Sequence, residues 1–241
     1  MHADQMHLLS NSLDSYLRSF AFIRGYFVLH RPIGMNYPIV LGITGASGAI
    51  YAVRLLNVLR AAGHDVHLSI STSGREVIRQ ELKLDIDLDR FDARQLHLGD
   101  EFPKTKSSGR VGEVHYFRHQ DFMALMASGS FLAGGMVICP CSGTTLSAVA
   151  TGAASNLIQR AAEVHLKERR SLVLVPRETP LSLAHIDNMR RVTEAGAVVL
   201  PASPGWYHGV RSTADLVDFV VARICDQLGV EHSLTKRWGT E

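Results

Sequence analysis

Residues 171–178 read Ser-Leu-Val-Leu-Val-Pro-Arg-Glu, and the last two have the side chains best suited to chemistry. Leu172, Val173, Leu174 and Val175 form a short apolar run of the kind buried on both faces of a parallel sheet. Pro176 is expected to stop the pairing and leave Arg177 and Glu178 at the strand's carboxyl end. In an open α/β sheet that end is where ligands bind. A cation beside an acid there can hold an anionic group and move a proton.

Two small-residue turns have chemistry of the same kind. Gly42-Ile43-Thr44-Gly45-Ala46-Ser47-Gly48 follows an apolar run and precedes a helical pattern. Its glycines let the backbone approach an anion, the helix start offers unpaired N–H groups, and Ser47 adds a hydroxyl. A tight turn with no ligand is the alternative. The glycines do not keep the two-then-three spacing of a dinucleotide fingerprint. The next strand ends in Ser71, where an NAD site would carry a carboxylate, so a mononucleotide such as FMN fits better. The second turn is Ser142-Gly143-Thr144-Thr145, whose hydroxyls serve either as helix caps or as ligand donors.

Other polar residues are less decisive. Arg160 and Lys167 are seven apart and share a helix face, with Glu163 and Lys167 as an i,i+4 pair. Alone they describe a solvated face; beside Arg177 they suggest a cationic pocket. The loop Pro204-Gly205-Trp206-Tyr207-His208-Gly209 carries aromatics, and Tyr207 can donate to a phosphate. Asp85, Asp87 and Asp89 resemble a calcium loop, but Arg90 and Leu96 stand where glycine and glutamate are required. His115 and His119 are four apart, but residues 113–117 read as a strand and no His-Glu-x-x-His pattern is present. Cys139-Pro140-Cys141 is not zinc spacing and reads as buried small hydrophobes. No Asp-rich run of the kind that holds magnesium on a diphosphate is present.

The elements that must position these residues follow from periodicity. Strands are expected over residues 37–43, 66–70, 113–117, 135–139, 172–175 and 197–200. Helices are expected over residues 49–62, 72–82, 153–168, 183–195 and 213–228, with another after Pro140 and a short helix or loop over 120–126. Residues 83–112 form a long polar excursion. Alternation of strand and helix predicts an α/β doubly wound parallel sheet in a single domain over residues 37–241.

The chain has 241 residues, 46% of them hydrophobic and 20% charged, with a net charge of +2. That is an ordinary globular composition, and the charge is too small to argue for nucleic acid. Three cysteines without a disulfide framework predict a reducing, cytoplasmic setting. The apolar stretch over residues 16–29 is broken by Arg18 and Arg24, is too short for a membrane span, and lacks a cleavage signal. Residues 1–36 read as an N-terminal extension, either a poorly ordered tail or an amphipathic arm against a neighbouring subunit. Met35 is a candidate natural start.

Taken together, several motifs resemble the UbiX-type flavin prenyltransferases. They are Gly45-Ala46-Ser47-Gly48, the run from Met136 to Ser142, the run from Leu146 to Gly152, Asn156-Leu157-Ile158-Gln159-Arg160, Leu166-Lys167-Glu168-Arg169-Arg170, and Leu172 to Glu178. Pro204-Gly205-Trp206-Tyr207-His208, Val217 to Arg223 and Arg237-Trp238-Gly239 add to the likeness. It spans about Ile39 to Gly239 and is weak over residues 83–112.

The resemblance implies a three-layer Rossmann-like or flavodoxin-like fold and a homo-oligomer, typically a dodecamer, with FMN at subunit interfaces. It implies transfer of a dimethylallyl group from dimethylallyl phosphate to N5 and C6 of reduced FMN, without a metal. The prenylated FMN made would serve a UbiD-type decarboxylase, as in ubiquinone formation or aromatic acid breakdown. By the same resemblance Gly45, Ala46, Ser47, Ser71, Ser142, Gly143, Thr144, Thr145 and Arg177 would hold FMN. Lys167, Tyr207 and Arg223 would hold the donor phosphate with Arg160 nearby, and Glu178 would transfer the proton. Phe122 would place an aromatic face against flavin or prenyl group, where relatives often have Trp, and Trp238 would close the site.

The residue chemistry agrees with that scheme. Phosphate leaves poorly, so cations and a proton donor must steady it, and burial of Glu178 would raise its pKa for the task. Aromatic faces would steady an allylic cation. Two rivals stand beside this reading. One is an FMN-dependent decarboxylase of an aromatic acid or cysteinyl substrate, whose Pro-x-Met-Asn motif is missing from Pro201-Ala202-Ser203-Pro204-Gly205. The other is a non-catalytic flavin-binding module, which would not need Lys167, Glu178 and Arg223 together.

Overall fold

The computed structural model describes residues 20–23, 26–29, 37–99, 102–103, 109–207 and 209–235. The chain divides into two units, residues 1–36 and 37–241. In the first, Phe20–Ile23 and Tyr26–Leu29 pair antiparallel, with Phe20 opposite Leu29. A tail or amphipathic arm was the expectation there; the described residues are two short strands.

The second unit is built on six parallel strands: β1 (Ile39–Ile43), β2 (Val66–Ile70), β3 (Val114–Tyr116), β4 (Gly135–Cys141), β5 (Leu172–Pro176) and β6 (Val198–Val199). Their order is β3-β2-β1-β4-β5-β6. β1 pairs with both β2 and β4, Leu41 lying between Leu68 and Val137. The chain therefore winds outward from β1 to β3, returns to the middle, and winds out the other way from β4. The connections that leave the carboxyl ends of β1 and β4 run to opposite faces of the sheet at that reversal, the place where such folds offer a crevice to ligands.

Every residue of β1, β2, β4 and β5 is buried. Continuous rather than alternating apolar runs are what a sheet covered on both faces demands. On one face lie α1 (Ala49–Ala61), α2 (Thr72–Leu82) and α6 (Thr213–Leu228), whose Val53, Leu56, Ile78, Val217 and Val221 share a core with β1 and β2. On the other lie α3 (Gly143–Thr151), α4 (Leu157–Lys167) and α5 (Leu183–Glu194), contributing Leu146, Leu157, Ala161 and Val192. The three-layer α/β arrangement is the one expected.

Several boundaries differ from the periodicity reading. The helix expected over 153–168 starts only at Leu157, because Asn156 caps it and accepts from the Gln159 amide. Gly152, at φ 67°, has already ended α3. Pro176 does not stop the pairing but is its last member, opposite Cys141. The last strand contracts to Val198–Val199, and Leu125–Ala127 is a 3-10 turn. Within the excursion, Ile86, Leu96 and Phe102 are buried against the α1–α6 core.

Candidate functional site at the sheet switch point

Among the described residues, five of the six helices start on a side-chain cap. Ser71, Ser142, Asn156, Ser182 and Ser212 each accept from the amide three residues on. These caps satisfy donors that a helix start leaves open. α1 is the exception: Gly48, at φ 113°, has no side chain to offer. Its amide and that of Ala49 donate instead to the carboxylate of Glu81, each at 2.9 Å. The N–H groups that the sequence offers to a phosphate are thus occupied by Glu81, from the end of α2. Sequence reasoning missed this residue, since nothing local links it to a turn 33 positions earlier.

The switch point is tied together by Thr44, which was also missed. Its hydroxyl donates to the Pro140 carbonyl at 2.7 Å and accepts from the Ser142 amide at 2.8 Å. One buried threonine at the end of β1 thereby fixes the second turn beside the first. The Ser142 hydroxyl caps α3 and donates to Thr145 Oγ1 at 3.0 Å. Ser71 caps α2 while its amide donates to the Ile43 carbonyl. Gly45 must lack a side chain, since a Cβ there would lie 2.5 Å from that of Ser73. His185 reaches over Gly143, its Nε2 lying 2.9 Å from the position a Cβ there would take. His185 Nδ1 accepts from the Ser182 amide at 3.2 Å, which places a neutral ring's proton on Nε2, facing the turn. The Ser182–His185 capping spacing is the sequence signal for it.

The structure sorts the expected site residues into three groups. Gly45, Ala46, Ser47 and Ser71 end β1 and β2, Ser142, Gly143, Thr144 and Thr145 end β4, and Arg177 and Glu178 follow β5. All ten lie at the sheet's carboxyl edge. Glu178 is exposed in the single chain, so the burial expected for it is not supplied by this chain's own residues.

Tyr207 and Arg223 form the second group, toward β6. The Tyr207 ring meets Phe219 edge-on at 5.7 Å, and Arg223 lies one helical turn beyond Phe219. Gly205 allows this, because a Cβ there would lie 2.9 Å from both rings. Arg223 lines a cavity of about 270 Å³ with Val199, Pro201 and Phe219.

Among the remaining residues, Phe122 follows β3, Arg160 lies in the first turn of α4 and Lys167 ends that helix; Lys167 does not join a cationic pocket around Arg177 within one chain. Lys167 ends α4, before the chain enters the amino end of β5, whereas Arg177 follows its carboxyl end. A five-residue strand, about 16 Å long, separates the two edges. Lys167 pairs with Glu168 rather than Glu163, and its Nζ lies against Gly129. Glu163 instead accepts from Arg160 at 3.3 Å and from the Ala154 amide. Phe122 is 47% exposed. Trp238 lies outside the described residues.

All three cysteines are buried thiols, and burial pushes Cys141 and Cys225 up to about 12. Among the described residues no three His, Cys, Asp or Glu side chains come together as metal ligands. No described helix is long and apolar enough to cross a membrane.

A parallel sheet whose switch point carries two small, hydroxyl-bearing turns and an arginine from the next strand defines a nucleotide-phosphate-binding α/β protein of the flavoprotein class. The family profile described as Flavoprotein matches residues 33–225. Flavin prenyltransferase UbiX of Pseudomonas aeruginosa is 48% identical over 203 residues, covering 84% of this chain and 94% of that protein. Its namesake in Halalkalibacterium halodurans is 45% identical, covering 83% and 93%. The crystal structure of AnUbiX (PadA1) in complex with FMN and dimethylallyl pyrophosphate superposes with a TM-score of 0.72 at 37% identity, covering 86% of this chain and all of that one. A dodecameric FMN-dependent UbiX-like decarboxylase from Escherichia coli O157:H7 gives 0.70 at 36% identity, covering 84% and 100%. The chain belongs to the flavoprotein family and, within it, to the UbiX-type flavin prenyltransferases.

Proposed function

We propose that this protein transfers a dimethylallyl group from dimethylallyl phosphate to N5 and C6 of reduced FMN. The convergence of both turns at the β1–β4 crevice, with Arg177 and Glu178 on the adjoining strand, carries the reading. The cradle fits a flavin mononucleotide: Gly45 is packed so closely on Ser73 that only glycine fits, and Ser47, Ser142, Thr144 and Thr145 bring hydroxyls to the two turns. The reduced flavin supplies the nucleophilic positions. Ser47, Ser142, Thr144, Thr145 and Arg177 bind and orient it.

Tyr207 and Arg223 donate to the leaving phosphate, taking the part a metal plays elsewhere, so the transfer is read as metal-independent. Glu178 protonates that phosphate and later accepts the proton released from the alkylated carbon. Phe122, Arg160 and Lys167 serve the cradle of a neighbouring copy, where Lys167 meets the donor phosphate and Phe122 shields the prenyl group. The separation of Lys167 from Arg177 within one chain supports a homo-oligomer with shared sites, and the dodecameric relative supports that assembly size. Trp238 is assigned to closing the site. The product passes to a UbiD-type decarboxylase in the cytoplasm. Residues 1–36 are read as an extension outside this catalytic unit.

Direct FMN-dependent decarboxylation is the second reading. Its support is that the E. coli relative and a phenylacrylic acid decarboxylase from Aquifex aeolicus, 38% identical with TM-score 0.69, are both named decarboxylases. Anaerobic incubation with reduced FMN and dimethylallyl phosphate, followed by mass analysis, separates the two. A flavin heavier by one prenyl unit supports transfer; unchanged flavin overturns it, and carbon dioxide release from an aromatic acid would establish the rival. Glu178→Gln is expected to keep FMN while losing about 100-fold or more in transfer rate. Undiminished turnover would remove Glu178 from the mechanism.

A further inference from the structure

Arg223 does not stand alone on α6. Its Nη1 donates to Asp226 Oδ2 at 2.8 Å, and the other carboxylate oxygen meets His232 Nε2 at 3.2 Å. The Leu234 amide points at His232 Nδ1 from 3.4 Å. An amide can only donate, so Nδ1 presents its lone pair and the ring's proton sits on Nε2, aimed at Asp226. Side-chain exposure falls from 53% at Arg223 through 19% at Asp226 to 3% at His232.

The local fold explains how the histidine reaches this position. Gly229, at φ 69°, ends α6, and the Val230 amide donates back to the Cys225 carbonyl. Val230 is buried, so residues 231–235 turn back against the last turns of the helix. Arg223, Asp226 and Val230 line a cavity of about 410 Å³ there, with Glu231 beside them.

We propose that Asp226 and His232 are positioning residues that hold the Arg223 guanidinium for the donor phosphate. An exposed i,i+3 ion pair by itself contributes little and leaves both side chains mobile. Here the carboxylate is held on its far oxygen by a buried imidazole and cannot rotate away. One guanidinium N–H is committed to Asp226, and the planar fork fixes the direction of the others. Fixing them before the phosphate arrives removes rotamer entropy that binding would otherwise cost. The proposal rests on the reading that Arg223 meets the donor phosphate.

The test is steady-state transfer to reduced FMN with dimethylallyl phosphate varied, alongside FMN affinity. Asp226→Asn and His232→Leu are each expected to raise KM for dimethylallyl phosphate about fivefold, the net scale of one ordinary hydrogen bond, with FMN affinity unchanged. His232→Gln, which restores an N–H donor, is expected to recover most of the loss. Added to Arg223→Gln, His232→Leu should bring no further rise. If Arg223→Gln raises KM while Asp226→Asn and His232→Leu do not, the positioning role is overturned and the reading of Arg223 stands. If Arg223→Gln leaves KM unchanged, both fall. Should His232→Leu fail to fold, Asp226→Asn and His232→Gln decide alone, since a purely structural role would lower stability without a selective change in KM.

Discussion

At the scale of single residues, two side chains give sharp expectations away from the catalytic pair. Gly45 lies so close to Ser73 that an added methyl must push the start of α2 away from the first turn. Gly45→Ala should cost about 1–3 kcal/mol in stability and weaken FMN binding together, measured by thermal unfolding and flavin titration. His67 is buried in β2, stacked on Phe131 at 4.8 Å and flanked by Phe117 and His115. Burial, with His115 beside it, lowers its pKa from 6.5 to about 4, against a smaller opposing effect of Asp65. The unfolded chain therefore binds the proton first. Stability is complete above about pH 6.5 and falls as pH drops toward 4, by roughly 3 kcal/mol from this group. His67→Phe should flatten that part of the stability–pH curve, and an unchanged slope would show that another group sets it.

Between elements, one polar tie is buried. Arg54 of α1 meets Asp218 of α6 through Nε at 2.6 Å and Nη2 at 3.0 Å, and neither side chain is more than 8% exposed. The same guanidinium donates to the Pro103 carbonyl and lies over Phe102, 5.5 Å from the ring centre. It therefore clamps the long excursion to the helical layer, as no reading of residues 83–112 by themselves could show. Removing one partner strands a buried charge. Asp218→Leu should cost about 3–5 kcal/mol, whereas pairing it with Arg54→Leu should recover much of the loss. Urea unfolding of both variants measures the difference. A single variant as stable as the parent would mean that water enters the site. Glu81 works between elements too: Glu81→Ala leaves two amides at the α1 start unpaired, for an expected cost of about 1 kcal/mol.

At the scale of the whole molecule, the separation of Lys167 from Arg177 has a testable consequence. If each site takes Lys167 from one copy and Glu178 from another, two inactive variants can repair each other. Mixed oligomers of Lys167→Ala and Glu178→Gln, assembled in equal parts, should regain about a quarter of the parent activity, the chance of drawing both intact partners at random. Assembly without any recovery would place both residues in one chain's site and contradict the shared arrangement.

How much was legible in the sequence depended on range. The strands declared themselves because both faces of the sheet are covered, leaving continuous runs such as those of β1 and β5. The two turns were legible because glycine and hydroxyl residues stand where strands pass into helices, and the motifs that mark the family are contiguous in the chain. Boundaries slipped where one residue outweighs periodicity, as Asn156 and Gly152 do between α3 and α4. What only the tertiary structure decided is long-range: Glu81 over the first turn, Thr44 between two strands, and Arg54 against Asp218. Each joins groups whose separation in space is set by how the sheet winds. The same winding puts Arg177 and Lys167 at opposite edges, although only ten positions divide them in sequence.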